Sequence, residues 1–346
     1  MTPDILGKIF GHLCNPGALP LRHLLFVSKG FHDAAVNNSP LWTSISLDSS
    51  FAQYFSQRPD EGNRFIEQCL LRSGPLPLCI YIVYDKATPD DLTFLLGPLQ
   101  TLGDPTWKGF ERCISLVWGN NWRSFGPQTL IPLLPKELPS LQRMSLSRFG
   151  CQDHGYQLPD CPVLKNVTIY SLQTSQRSFW GTTFEHVTSL TFGAHTDWIG
   201  HDVTMLSLFP ALCQLTLFTR VRAHTQGVDP VPATQFQHLR TLTTQGDIPS
   251  VVFTKLNLPA LEELHIESNI YGNTSIVPLL DSSTPLCLHL YALLPKAVSF
   301  KEQQWATNLL KLVQRCTRLE NLYVSRWMEG KCRKVMRGSG ITLCVM

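Results

Sequence analysis

The chain is short of charge. Of its 346 residues only 16% are Asp, Glu, Lys or Arg, against roughly 25% in ordinary soluble domains. Its 29 Lys+Arg face 26 Asp+Glu, a formal net charge of +3. That balance does not suit a surface built to neutralise a phosphate backbone, so no nucleic-acid partner is expected. No apolar run reaches the roughly 18–20 residues of a membrane-spanning helix, so no membrane partner is expected either. The opening Met1-Thr2-Pro3-Asp4 has no basic n-region and no unbroken apolar segment follows it, which predicts no secretory signal. Disordered tails need low hydrophobicity and high charge; with 43% hydrophobic residues, this chain meets neither condition.

Signatures of chemistry are missing as well. There is no G-x-S-x-G, H-E-x-x-H, G-x-x-x-x-G-K-[ST] or G-x-G-x-x-G, so the common nucleophile, zinc and phosphate motifs are absent and no enzyme is predicted. Eleven cysteines include no C-x-x-C pair, which removes the usual zinc and redox spacings. Most lie among Leu, Ile and Val, where a free thiol acts as a small hydrophobe. This usage predicts a reducing, intracellular setting, cytoplasm or nucleus. Cys151, Asp153, His154 and Cys161 match no common structural zinc site, and Cys161 fills an apolar slot of the repeat described below. His195 and His201 flank Trp198 in a segment read as a surface loop. The sequence therefore predicts no cofactor and no metal.

What is present begins with a helical module. Ile5, Leu6, Ile9, Phe10 and Leu13 make one apolar helix face, closed by Asn15-Pro16-Gly17. Pro20 can open a second helix, with Leu21, Leu24, Leu25 and Val27. Phe31 to Val36 forms a third apolar segment, and Asn37-Asn38-Ser39-Pro40 a turn before Leu41-Trp42. The order P-x-I-L-x-x-I-F-x-x-L (Pro3 to Leu13), L-L-x-V-S-K-x-F (Leu24 to Phe31) and S-P-L-W (Ser39 to Trp42) resembles an F-box, although Met1 and Thr2 stand where that family usually has Leu. The resemblance covers residues 1–48. It implies a three-helix unit that docks on a Skp adaptor and, through it, a cullin, with Pro3, Ile5, Leu6, Leu24, Val27 and Trp42 as candidate contacts. About 45 residues bury too little surface to stand alone, and three short helices need a core of their own, so some of these six must pack internally.

The remainder, 49–346, is a repeat. The frame Φ-x-x-Φ-x-x-Φ-x-Φ, with Φ apolar, recurs as Leu138/Leu141/Met144/Leu146, Cys161/Leu164/Val167/Ile169, Phe184/Val187/Leu190/Phe192 and Phe209/Leu212/Leu215/Leu217. Phe236/Leu239/Leu242 follows with Thr244 in the last slot, then Leu258/Leu261/Leu264/Ile266 and Cys316/Leu319/Leu322/Val324. Echoes stand at Trp42/Ile45/Leu47, Ile80/Ile82, Leu116/Trp118 and Leu288/Leu290. From Leu141 the second Φ steps by 23, 23, 25, 27 and 22 residues to Leu261. Pro139, Pro162, Pro210 and Pro259 each precede a second Φ by two. Such units resemble leucine-rich repeats, in irregular form. The resemblance implies an α/β protein: a small N-terminal three-helix F-box followed by a leucine-rich-repeat-like solenoid of parallel strands, whose units must stack to bury their apolar faces. The competing reading is a mixed α/β domain with chance periodicity. Helices are expected over Asp60 to Ser73, with Gly74 as the stop, at the Thr88-Pro89-Asp90-Asp91 start, and over Ala306 to Val313. Lys331, Arg333, Lys334 and Arg337 read as a solvated loop into a final strand, Ile341 to Val345, or as a basic contact patch.

Strand alternation sends the residues between the buried pairs to the opposite, concave face. That row contains Arg143, Ser145, Asn166, Thr168, Tyr170, Gln214, Thr216, Phe218, Glu263, His265, Glu267, His289, Tyr291, Asn321 and Tyr323. Its mixture of polar and aromatic groups suits protein recognition, with Tyr170, Phe218, Glu263, His265, His289, Tyr291 and Tyr323 as candidate contacts to an unknown protein substrate. Together the two resemblances imply a substrate receptor of a Skp–cullin–F-box ubiquitin ligase. The alternative is a solenoid binding scaffold whose F-box-like start is a cap or recruits another partner.

Overall fold

The computed structural model describes residues 25–48, 51, 55, 58–84, 108–120, 135–147, 159–170, 183–194, 206–219, 234–245, 248, 250–253, 256–267, 285–291, 314, 316, 318–324 and 329–345. The expected first helix, the Thr88-Pro89 helix start, the 306–313 helix, and the Cys151 and His195–His201 segments lie outside them. The chain divides into two compact units, Met1–Leu164 and Lys165–Met346. It is an α/β protein whose repeats form a parallel-strand solenoid. Among the described residues no helix is long and apolar enough to cross a membrane.

In the first unit, β1 (Ser44–Asp48), β2 (Leu78–Tyr84), β3 (Cys113–Asn120) and β4 (Arg143–Ser147) pair in sequence order, all parallel. The register sets Ile45, Ile80, Leu116 and Met144 in one row and Leu47, Ile82, Trp118 and Leu146 in the next. All eight are buried. The helix Lys29–Val36 precedes β1, with the Ser28 hydroxyl accepting from the Phe31 N–H at 3.2 Å as its N-cap. Ser39–Trp42 is a 3-10 turn. Trp42, 1% exposed, donates its indole N–H to the Ala35 carbonyl at 2.8 Å, and the Arg72 guanidinium lies 4.4 Å from its ring centre.

The expected helix at residue 60 is Pro59–Arg72, with Pro at its first turn and Asp60 and Glu61 at its positive end. Gly74 has φ +56, the left-handed value that glycine adopts without penalty. Arg112, forty residues downstream, completes this helix end. Its guanidinium donates to the carbonyls of Leu70 at 3.3 Å and Leu76 at 3.0 Å, to the Gly74 carbonyl, and to the Ser73 hydroxyl at 3.4 Å. One rigid fork thus satisfies carbonyls that the helix leaves open. Sequence periodicity carried no sign of this cap, because Arg112 sits between repeats.

In the second unit, β5 (Asn166–Tyr170), β6 (Ser189–Ala194), β7 (Gln214–Thr219), β9 (Thr241–Gln245), β11 (Glu263–Glu267), β12 (Cys287–Tyr291), β13 (Asn321–Val324) and β14 (Thr342–Val345) form a parallel ladder. Two short strands, β8 (Thr234–Gln235) and β10 (Leu256–Asn257), pair separately. The inner rows run Val167, Leu190, Leu215, Leu242, Leu264, Leu288, Leu322 and Ile169, Phe192, Leu217, Thr244, Ile266, all buried. Thr244 occupies its apolar slot at 1% exposure, its hydroxyl donating to the His265 carbonyl at 3.3 Å. The hydrogen bond offsets the burial of a polar group.

The turn before each strand explains the prolines. The N–H of Leu141 donates to Leu138, Leu164 to Cys161, Leu212 to Phe209 and Leu261 to Leu258, each a four-residue turn with Pro in its second position. Proline fixes φ there and has no N–H to leave unpaired. The apolar ends of these turns, Leu138, Leu141, Leu164, Phe209, Leu212, Leu258 and Leu261, are buried. Phe184 and Phe209 from neighbouring turns stack at 5.2 Å.

The segment read as a loop before the last strand is instead the helix Glu329–Val335. Arg333 pairs with Glu329 one turn back at 2.8 Å, acid and base lie at the helix ends that favour them, and Cys332 is buried. The strand that follows is present as Thr342–Val345, pairing with β13.

The nine described cysteines are free thiols. Burial pushes Cys69, Cys113, Cys161, Cys316 and Cys332 up to about 12, so at neutral pH the reactive thiolate is scarce. Titration of the native chain with a thiol reagent at pH 8 should leave these five unmodified, and denaturant should release them. Rapid native labelling of Cys113 or Cys332 would contradict their burial. Independently, Leu215→Ala should cost about 2–5 kcal/mol in urea unfolding, while Thr216→Ala, one residue along on the open face, should cost under about 1 kcal/mol.

Candidate functional site: the open face of the strands

Because successive strand residues alternate faces, the residues between the buried pairs line up across the ladder. In the second unit the central row reads Thr168, Thr191, Thr216, Thr243, His265, His289, Tyr323 and Cys344. The row above begins Asn166, Ser189, Gln214, Thr241 and continues Glu263, Cys287, Asn321 and Thr342. These side chains are exposed or half-buried. Four β-branched threonines thus give way to three rings.

Parallel strands lie about 4.8 Å apart, close to the spacing at which planar rings stack. His265 and His289 stack with centroids 4.0 Å apart and planes 11° apart, and His289 and Tyr323 at 4.1 Å and 2°. Beside the stack, Glu263 Oε2 is 3.3 Å from His265 Nε2. Burial, then the neighbouring His265, lowers the pKa of His289, with Glu263 pulling weakly the other way. Cys344, next in the row, is the main influence raising the Tyr323 phenol. Glu263, His265 and His289 each offer a ligand atom, these atoms lying within 4.8 Å of one another, and no other such trio occurs among the described residues.

A second aromatic contact lies on the strands before β9. Tyr170, Gly193 and Phe218 are register partners on β5, β6 and β7. Tyr170 and Phe218 meet at 5.0 Å, across a strand that contributes no side chain. A Cβ on Gly193 would fall 2.0 Å from the Phe218 ring, so the glycine is what admits the contact.

The expected recognition residues therefore separate into two groups: Glu263, His265, His289 and Tyr323 in one, Tyr170 and Phe218 in the other. Tyr291 belongs to β12 at the level of Glu267, and its side chain lies outside the described residues. The sequence reading missed Gly193, Thr191 and Thr243; the central x of each Φ-x-Φ pair was the signal that marks the threonines. Of the adaptor candidates, Pro3, Ile5, Leu6 and Leu24 lie outside the described residues. Val27 is 60% and its neighbour Phe26 84% exposed, whereas Trp42 is a core residue. On the turn side of the second unit, His238, Arg240, Glu262 and Arg318 line an open cavity of about 540 Å³, with Arg240 and Glu262 paired at 3.7 Å.

No family model matches the chain, and no curated protein matches it.

Gly193→Ala should drive the Phe218 ring off β6 and end its contact with Tyr170. The expected cost is about 0.5–1.5 kcal/mol, and it should vanish in a Phe218→Ala background, which a double-mutant cycle measures. An equal cost in both backgrounds would place the clash elsewhere.

Proposed function

We propose that the chain is the substrate receptor of a Skp–cullin–F-box ubiquitin ligase, holding a Skp adaptor through residues 1–48 and a target protein through the open face of its strands. The observation that carries the recognition half is the open face itself: a parallel ladder with stacked His265, His289 and Tyr323 beside a row of threonines. Rigid aromatic groups beside adaptable polar ones are what protein interfaces favour. The adaptor half rests on the F-box resemblance, and the exposure of Phe26 and Val27 supports it, since apolar side chains held in water favour a partner. In this role the chain contributes proximity, holding a target near a charged conjugating enzyme and raising its effective concentration.

One observation favours the alternative scaffold. Leu41 and Trp42 are buried, and Trp42 packs under Arg72 of the next helix, as a segment capping the first strand would. Capping is a need of every solenoid end. Co-purification with a Skp adaptor separates the two readings. Ile5→Ala/Leu6→Ala and, separately, Phe26→Asp/Val27→Asp should each abolish binding while circular dichroism stays unchanged. Adaptor binding that is absent in the parent chain leaves the scaffold reading, and binding unaffected in both variants contradicts docking through residues 1–48.

A further inference from the structure

The stacked histidines stand 24 residues apart in the chain, on two strands, so no sequence motif announces what they form together. Glu263 and His265 sit two apart on β11 and project to one face, and His289 is the register partner of His265 on β12. Two imidazoles and a carboxylate, from adjacent strands of a rigid sheet, make a donor set that zinc and its neighbours take readily.

The distances suit it. Zinc bonds of about 2.0–2.1 Å in a tetrahedron place ligand atoms roughly 3.3 Å apart. Glu263 Oε2 and His265 Nε2 are already 3.3 Å apart. The third donor, on His289, lies within 4.8 Å of both; because each ring-nitrogen lone pair lies in its ring plane, the two imidazoles rotate out of their nearly parallel stack to aim both nitrogens at one ion. Strands hold such ligands more precisely than loops do.

We propose that Glu263, His265 and His289 form a binding site for a divalent transition metal of the zinc class, with three protein ligands and a fourth position open to solvent. The site stands on side-chain geometry alone and is independent of the ligase reading.

Calorimetric titration of the full-length, metal-stripped chain with Zn²⁺ under a non-thiol reductant tests it. The parent chain should bind one equivalent more than His265→Phe and one more than His289→Phe, variants that keep a ring in the stack and remove the ligand. Counting by difference removes any contribution from the eleven cysteines. Identical stoichiometry in parent and both variants, or no binding by the parent, overturns the proposal. If either variant fails to fold, Glu263→Gln replaces it: its side chain is half-exposed and the change conserves shape. That variant should bind the equivalent at least about tenfold more weakly, in line with the roughly 10–100-fold attached even to groups behind a ligand. An unchanged affinity in Glu263→Gln overturns the proposal equally.

Discussion

The register of the parallel ladder is the constraint on which the rest depends. Strands such as β5, β6, β7, β9, β11 and β13 bury two residues and offer the one between them outward, so a slip of one residue would exchange the two sets completely. In the second unit the slip is blocked by rows such as Val167, Leu190, Leu215, Leu242, Leu264, Leu288 and Leu322, in which every member is buried. Because the rows run continuously from strand to strand, outward residues also meet in rows. The stacking of His265, His289 and Tyr323 is therefore a consequence of how the leucines pack behind them.

Local sequence cooperates with that constraint. In four of the pre-strand turns a proline follows the opening apolar residue and sets the chain direction before the strand starts, and the turn hydrogen bond returns the N–H of the second apolar residue to the first. Where the pattern breaks, the structure compensates at the same place. Thr244 replaces an aliphatic residue but bonds to the adjacent strand. Arg112 closes a helix that ends in a different repeat. Such agreement between local preference and global packing favours one folded state.

Much of this was legible in the residues. The Φ-x-x-Φ-x-x-Φ-x-Φ frame marks Leu141, Leu164, Leu212 and Leu261 as equivalent buried points, and Asp60 to Ser73 with Gly74 announces a helix and its stop. What the frame does not carry is anything between repeats. Arg112 lies outside it, the helix Glu329–Val335 depends on one ion pair and a buried cysteine, and Gly193 looks like an ordinary small residue until Phe218 is seen above it. His265 and His289 read as members of one outward row but not as a stacked pair, because their partnership depends on register between positions 24 residues apart in the chain. Trp42 shows the opposite difficulty: its motif points to a partner, while its indole is used by the chain's own Ala35 carbonyl.

The central claim is that the N-terminal module and the open face hold different proteins. Photo-crosslinking from three positions tests it most directly: Val27 in the module, Thr216 on the open face and His238 on the exposed turn side. With a Skp adaptor co-expressed, the account predicts adaptor adducts from Val27 alone. It predicts adducts from Thr216, and none from His238, with a protein whose ubiquitination depends on this chain. Adaptor adducts from Thr216, or target adducts from His238 in place of Thr216, would contradict it.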